Sequence, residues 1–564
     1  ICSGQSNMEW PVARTADARA EIAAADHWEV RLFDVKNVAA EEPLEDVRGQ
    51  WVVCSPESVS GFSAVGYFFG RELSQALDVP VALVGTNWGG TLCEAWTSRE
   101  TLAGIPEFRP PLERLAQAIA SDGETEDSLA VRRAAWWEGL QERDPGYQGR
   151  WMSADLDLTD WLDAPVPGSF SDAGLGDFNG CVWYRRTVEV PEDWIGHELV
   201  LELGPVDDMD LTFLNGELVG STREPGQHTT PRAYAIGAGV ARAGVNVVAV
   251  CAVDTGGAGS LGRAGEGAVP MRIRLASDPQ GSGLELEGTW KARAGLSMRS
   301  ARPFPSGSWF HANYPTALYN GMIAPLLPFR IRGAIWYQGE SNRPRAAQYR
   351  TLFPALISDW RAKWGIGDFP FYFVQIAPYH YGGDTGQSAQ LREAQTMALA
   401  TPNTAMAVTM DIGNPDDIHP RNKQDVGKRL ALCALAGTYG KDVVYSGPMY
   451  RSMIVVGDEA RLHFAHTHGG LAAGGEGDGG GDGAGGGDGG AVTHVTIAGQ
   501  DHVFHPAQAL IQGDLLIVRC DAVPHPVAVR YAWGAADVPN LKNGAGLPAP
   551  SFRTDDWEAV SARR

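Results

Sequence analysis

The chain has 564 residues, 44% of them hydrophobic, and sets 46 Lys and Arg against 68 Asp and Glu for a formal net charge of −22. That length exceeds one hydrophobic core and predicts roughly two to four domains. The acidic balance argues against nucleic acid and anionic membranes as partners, and no apolar run reaches the roughly 20 residues of a membrane span. The seven cysteines (Cys2, Cys54, Cys93, Cys181, Cys251, Cys433 and Cys520) include no Cys-x-x-Cys pair and are odd in number. They exclude a disulfide framework and a zinc cluster as organising devices.

The chain opens in mid-strand without a methionine, so a preceding segment is expected. Ile1-Cys2-Ser3 is an apolar strand end, and Gly4-Gln5-Ser6-Asn7 is a sharp turn that releases one serine. A serine hydroxyl becomes a nucleophile when a turn exposes it and a histidine elsewhere takes its proton. Ser3 competes with Ser6 but sits on the strand side of Gly4. Residues 1–115 continue as alternating strands (29–33, 79–84) and a helix opening near Ala64, the pattern of a doubly wound parallel sheet. The second of these strands runs into Gly85-Thr86-Asn87-Trp88-Gly89-Gly90-Thr91. Two glycines after a strand let backbone N–H groups approach a ligand, as an oxyanion hole requires.

From 150 to 280 the pattern alternates at period two, with Asn215-Gly216 as a hairpin turn between strand-like runs. This stretch reads as an all-β sandwich inserted into the α/β domain. It resembles the jelly-roll sugar-binding modules of glycoside hydrolases, in which Trp183 and Tyr184 are candidates to stack on a sugar or to fill the core. The α/β pattern resumes over 285–440. Strand 331–337 leads to Gln338-Gly339-Glu340-Ser341-Asn342, a helix runs from Tyr349 to Trp364, and strand 405–410 leads to Asp416, Asp417 and His419. Residues 441–564 read as a small β domain, interrupted at 469–491 by a Gly/Asp-rich run expected to be a mobile surface loop.

Asp416 and His419, three residues apart after a late strand, can be presented by one turn, the carboxylate fixing the imidazole. In an open parallel sheet the ends that carry Ser6, Gly89, Gly90 and His419 converge on one crevice. Gly4-Gln5-Ser6-Asn7-Met8-Glu9-Trp10, Asn87-Trp88-Gly89-Gly90-Thr91, Trp336 to Asn342 and Asp417-Ile418-His419-Pro420 together resemble the blocks of the sialate O-acetylesterase family, within the SGNH hydrolases. Residues 544–555 resemble that family's ending.

The resemblance implies a flavodoxin-like α/β fold, with Ser6 as nucleophile, His419 as base and Asp416 as its carboxylate. Glu340 is the alternative carboxylate, and Asp417 a weaker one. The oxyanion donors implied are the N–H groups of Ser6 and of Gly89 or Gly90, with a side-chain amide from Gln338 or Asn342. A Gly-x-Asn-Asp block is absent, and Gln338 at the strand end is preferred in its place. Such acyl transfer asks for no metal or organic cofactor. The implied partner is an acetylated carbohydrate, either an O-acetylated sialic acid or an acetylated hemicellulose such as xylan or xyloglucan. Arg343 and Arg392 are candidates for a sialate carboxylate, or for pairing with carboxylates of the protein. A carbohydrate-binding protein on a degenerate hydrolase scaffold is the alternative outside catalysis. The family also suggests a secreted or periplasmic location and a further β domain ahead of residue 1. Oligomeric state is not legible.

Overall fold

The computed structural model describes residues 1–120, 126–176, 178–224, 226–257, 259–262, 269–279, 281, 283–298, 304–305, 311–474 and 490–557. Two compact units divide the chain: residues 1–121 with 310–564, and residues 122–309. The insertion is wider than the 150–280 suggested by strand texture, because helical segments Glu126–Arg143 and Pro145–Gln148 belong to it.

The first unit is built on strands β1 (Cys2–Gly4), β2 (His27–Asp34), β3 (Trp51–Cys54), β4 (Val81–Asn87), β5 (Ala334–Tyr337), β6 (Phe371–Val374) and β7 (Thr404–Ala407). They lie in the order β7-β6-β5-β1-β4-β2-β3. All neighbours are parallel except β2 and β3. The helices used below are α1 (Ser6–Glu9), α2 (Ala64–Leu77), α3 (Ala346–Trp364), α4 (Gln387–Met397) and α5 (Lys423–Gly437).

Short all-apolar strands are what a sheet covered on both faces requires. Ile335 and Tyr337 of β5 join Cys2, Leu83 and Val374 in one cluster, closed by Tyr67 and Phe68 of α2 and Val426 and Leu430 of α5. Ala334 and Trp336, one residue out of phase, face the other cluster with Phe353 and Trp360 of α3 and Leu391 of α4. The period-two alternation along β5 thus distributes one strand between two cores. β1 lies at the centre, flanked by strands from opposite ends of the chain, so ligands are expected at its C-terminal end.

The C-terminal β segment is no separate compact unit. Its two four-stranded antiparallel sheets contribute Leu462, Ile497, Val529 and Phe552 to the cluster that holds Trp336. The expected mobile loop falls largely on residues 475–489, outside the described residues.

In the second unit a six-stranded and a four-stranded sheet, both antiparallel throughout their described strands, share a core containing Tyr184, Leu201 and Ile273. Asn215 and Gly216 both take positive φ (54° and 87°) in the two-residue turn between Met209–Leu214 and Glu217–Thr222, as a hairpin of that length demands. Trp183 and Tyr184 are both buried, which removes them as sugar-stacking residues. The six-stranded sheet is covered on both faces, Tyr184 pointing into the shared core and Trp183 into a second layer with Trp151 and Phe213. The indole of Trp183 donates to Asp144 Oδ1 at 2.8 Å, so its one polar atom is satisfied inside.

Candidate active site

β1 stops at Gly4, whose φ is +141° and whose position allows no Cβ, since one would lie 2.1 Å from the Tyr337 carbonyl oxygen on β5. Only glycine permits that approach. Gln5 is extended, and the next four residues wind into the single turn α1, which lifts Ser6 off the sheet. Ser3 is buried and donates its Oγ to the Thr86 carbonyl at 2.7 Å; it is a core residue.

β4 ends beside β1, and the Trp88 N–H donates to the Gly4 carbonyl at 3.1 Å. This draws the Gly89-Gly90 turn against α1, where a Cβ on Gly89 would sit 3.3 Å from that of Ser6. The Gly89 N–H donates to Glu9 Oε2 at 2.6 Å. Gly90 has a φ of +72° and open space where a side chain would project. Gly89 therefore adjoins the serine, and its N–H already serves a carboxylate.

The loop after β7 brings His419 to the same place. His419 Nε2 lies 2.8 Å from Ser6 Oγ, so with the proton on Nδ1 it accepts the serine O–H. Trp10 stacks on the imidazole at 4.8 Å and 15°. Burial, then the nearby Lys423 cation, holds the imidazole below its ordinary pKa of 6.5; Asp417 opposes this and Arg14 adds to it. The ring is thus kept in the neutral form that a base needs.

Asp416 does not reach the histidine. Its side chain is 89% exposed, with His380 Nε2 4.0 Å from its Oδ1. The adjacent Asp417 turns toward the histidine loop, accepting the His419 backbone N–H on Oδ1 at 2.8 Å and making no bond to the imidazole ring. The turn closes two residues before the histidine rather than three, and that one-residue phase decides which carboxylate faces in. Glu340 is buried but points to Asn7 Nδ2 at 2.7 Å, not to the imidazole.

The two side-chain amides expected at the oxyanion are committed elsewhere. Gln338 donates to the Thr91 carbonyl at 3.1 Å and to Asn342 Oδ1 at 2.7 Å, and accepts from Tyr349. Asn342 donates to Glu94 Oε2 at 2.9 Å and accepts from the Cys93 N–H. Both brace the floor beneath the site. Arg343 pairs with Asp384 at 2.8 Å and lies over the Tyr381 ring. Arg392 is buried, donates to the Gly534 carbonyl at 2.5 Å, and is pushed down to about 10 by burial. Neither arginine is left to meet a substrate carboxylate.

Sequence reasoning overlooked three groups. Asn7, next to the serine, donates to Glu340 and to the Ile418 carbonyl at 3.0 Å, and accepts from Lys423 Nζ at 2.5 Å. It ties the serine turn to the histidine loop. Lys423 is fully buried, and burial pushes its pKa down to about 7 against the opposing pull of Glu340 and Asp417; burial likewise pushes Glu340 up. A cation at the first residue of a helix opposes the helix dipole, and that misfit was the available signal. Trp10 was within the opening block but carried no assigned role. Among the described residues the grouping of His, Cys, Asp or Glu with metal-ligand spacing lies in the second unit.

A family model described as carbohydrate esterase, sialic acid-specific acetylesterase, matches residues 304–436. The sialate O-acetylesterase of Mus musculus is 24% identical over 497 residues, covering 83% of this chain. The chain is similar to the sialate O-acetylesterases. The Homo sapiens enzyme of that name is 36% identical over 172 residues, 27% of this chain and 33% of its own. A carbohydrate acetylesterase from Xanthomonas citri, known by crystal structure, is 28% identical with a TM-score of 0.57, covering 98% of this chain and 80% of that one. The chain spans 61% of the length of the mouse relative. The sialate O-acetylesterase family match takes in Glu340, Asn342, His419 and Lys423 but begins after Ser6 and the Gly89-Gly90 turn.

Proposed function

We propose that this chain is a serine carbohydrate O-acetylesterase of the SGNH type, carrying a jelly-roll insertion. The observation that carries the reading is the 2.8 Å contact between Ser6 Oγ and His419 Nε2 at the C-terminal edge of a parallel sheet. The relatives named above, sialate O-acetylesterases and a carbohydrate acetylesterase, support the substrate class. A secreted or periplasmic home belongs to the same reading by family; none of the seven cysteines is paired, so the fold does not depend on disulfides.

In this mechanism His419 takes the Ser6 proton as Oγ attacks the acetyl carbonyl. Backbone N–H groups of Ser6 and of the Gly89-Gly90 turn hold the oxyanion, Glu9 giving up the Gly89 N–H as it forms. His419 then protonates the departing sugar oxygen. Water, activated by the same imidazole, hydrolyses the acetyl-enzyme. Asp417 orients the histidine, and Asn7 fixes the two loops in register.

The sugar is decided by charge. With Arg343 and Arg392 committed inside the protein, the exposed Arg14, which lies over Trp10 at 5.5 Å and is close enough to depress His419, is a cation beside the histidine for a sialate carboxylate. Acetate release is measured from O-acetylated sialic acid and from acetylated xylan or xyloglucan. A sialate enzyme shows kcat/KM falling about tenfold or more in Arg14→Ala on the acidic sugar alone. Equal rates on the neutral polymer in both forms place it with the hemicellulose esterases. No acetate from any substrate would contradict the esterase reading.

A further inference from the structure

In the second unit, Asp207 and Asp208 occupy the turn between Leu199–Pro205 and Met209–Leu214, and His228 lies on the loop before Pro231–Ile236. One ligand atom from each of the three falls within 4.8 Å of the others. Asp208 N–H donates to the Val253 carbonyl at 3.1 Å, one residue out of the register that pairs Met209 with Val253, and its Oδ2 accepts from the Thr255 N–H and hydroxyl. Asp254, between Val253 and Thr255, is close enough for its charge to bear on both Asp207 and Asp208. Asp254 is completely buried, and its Oδ2 has no hydrogen-bond partner, whereas Oδ1 accepts the Gly256 N–H at 2.8 Å.

Three carboxylates so placed repel one another, and among the described residues none of them has an ion pair with Lys or Arg. The nearest guanidinium, Arg232, is matched by Asp210 at 2.8 Å. It donates to the carbonyls of Val206, Asp208, Gln227 and Thr230. One buried side chain thereby clamps the aspartate turn to the loop that bears His228, holding the donors together without neutralising them. An unpaired carboxylate oxygen in the interior is costly, and a cation is the partner that these donors fit.

We propose that Asp207, Asp208 and His228 bind a divalent cation, with Asp254 supplying the buried anionic wall of the site. Carboxylates with one imidazole favour a first-row metal such as Mn²⁺ or Zn²⁺ over the all-oxygen preference of Ca²⁺. The site belongs to the inserted unit and takes no part in ester hydrolysis.

The test uses the full chain, stripped with EDTA and dialysed against Mn²⁺ or Zn²⁺, with bound metal counted and the thermal midpoint recorded. The expected result is one equivalent bound by the wild type, with a raised midpoint. Asp207→Asn and His228→Ala, at partly and fully exposed positions, should each lose that equivalent or weaken it about tenfold or more. Hydrolysis of p-nitrophenyl acetate should be unchanged. Metal uptake that survives both variants, uptake of Ca²⁺ indifferent to His228→Ala, or no uptake at all would each overturn the assignment.

Discussion

His419 is held from three sides: Trp10 on its face, Ser6 on Nε2, and Asp417 on its backbone N–H. Asp417→Ala should therefore lower kcat by about tenfold, the cost of losing one hydrogen bond to a charged group that fixes the histidine's backbone. Asp416→Ala should leave kcat within about twofold, its side chain being in solvent. Steady-state hydrolysis of p-nitrophenyl acetate by the two variants checks this, and equal losses would put the wrong aspartate at the histidine. Because burial and Lys423 hold the imidazole below 6.5, protonation disables the base only at lower pH. The acid limb of kcat/KM should have its midpoint below 6.5, and Lys423→Met, removing a cation, should move it upward. A midpoint above 6.5 in the wild type would contradict the depressed histidine. Ser6 and His419 were legible in sequence because each follows a strand that ends at the crevice. Their support was less so: whether Asp416 or Asp417 turns inward depends on one residue of phase, and Gln338 and Asn342 were claimed by Thr91, Tyr349 and Glu94, partners remote in sequence.

At the scale of elements, two junctions position this chemistry. The first is the close approach of β1 to β5 at Gly4. Gly4→Ala would press a methyl against the Tyr337 carbonyl and should cost at least about 2 kcal/mol. It should also lower kcat with little change in the mode of substrate binding; a variant as stable and active as wild type would show that the strands can part. The second junction is Asn7, which joins α1 to the loop before α5 through Glu340, Ile418 and Lys423. Lys423→Met or Glu340→Gln alone strands a buried charge and should cost roughly 3–5 kcal/mol, while the double variant should cost less than their sum. Additive losses in thermal midpoint would mean that the two charges do not sense each other. The strand and helix alternation of these elements was readable from periodicity. The burial of Trp183 was not, because period-two alternation gives a strand's faces but not how many layers cover them.

Over the whole molecule, residues 1–121 and 310–564 form one unit interrupted by 122–309. The chain must complete a long insertion before β5 can pair with β1 and bring His419 to Ser6, a non-local pairing of the kind that folds slowly. The insertion itself was visible as a change of texture, whereas its helical start and the merging of the C-terminal sheets with the main core were not. Neither was the Asp207, Asp208, His228 grouping, whose members are scattered in sequence with no motif spacing. The proposed esterase rests on Ser6 and His419 meeting across 413 positions of sequence. The direct measurement is covalent labelling by a fluorophosphonate probe, mapped by peptide mass. The account predicts a single adduct on Ser6, lost in Ser6→Ala and slowed by about 10³-fold or more in His419→Ala. An unlabelled Ser6, or labelling indifferent to His419, would contradict it.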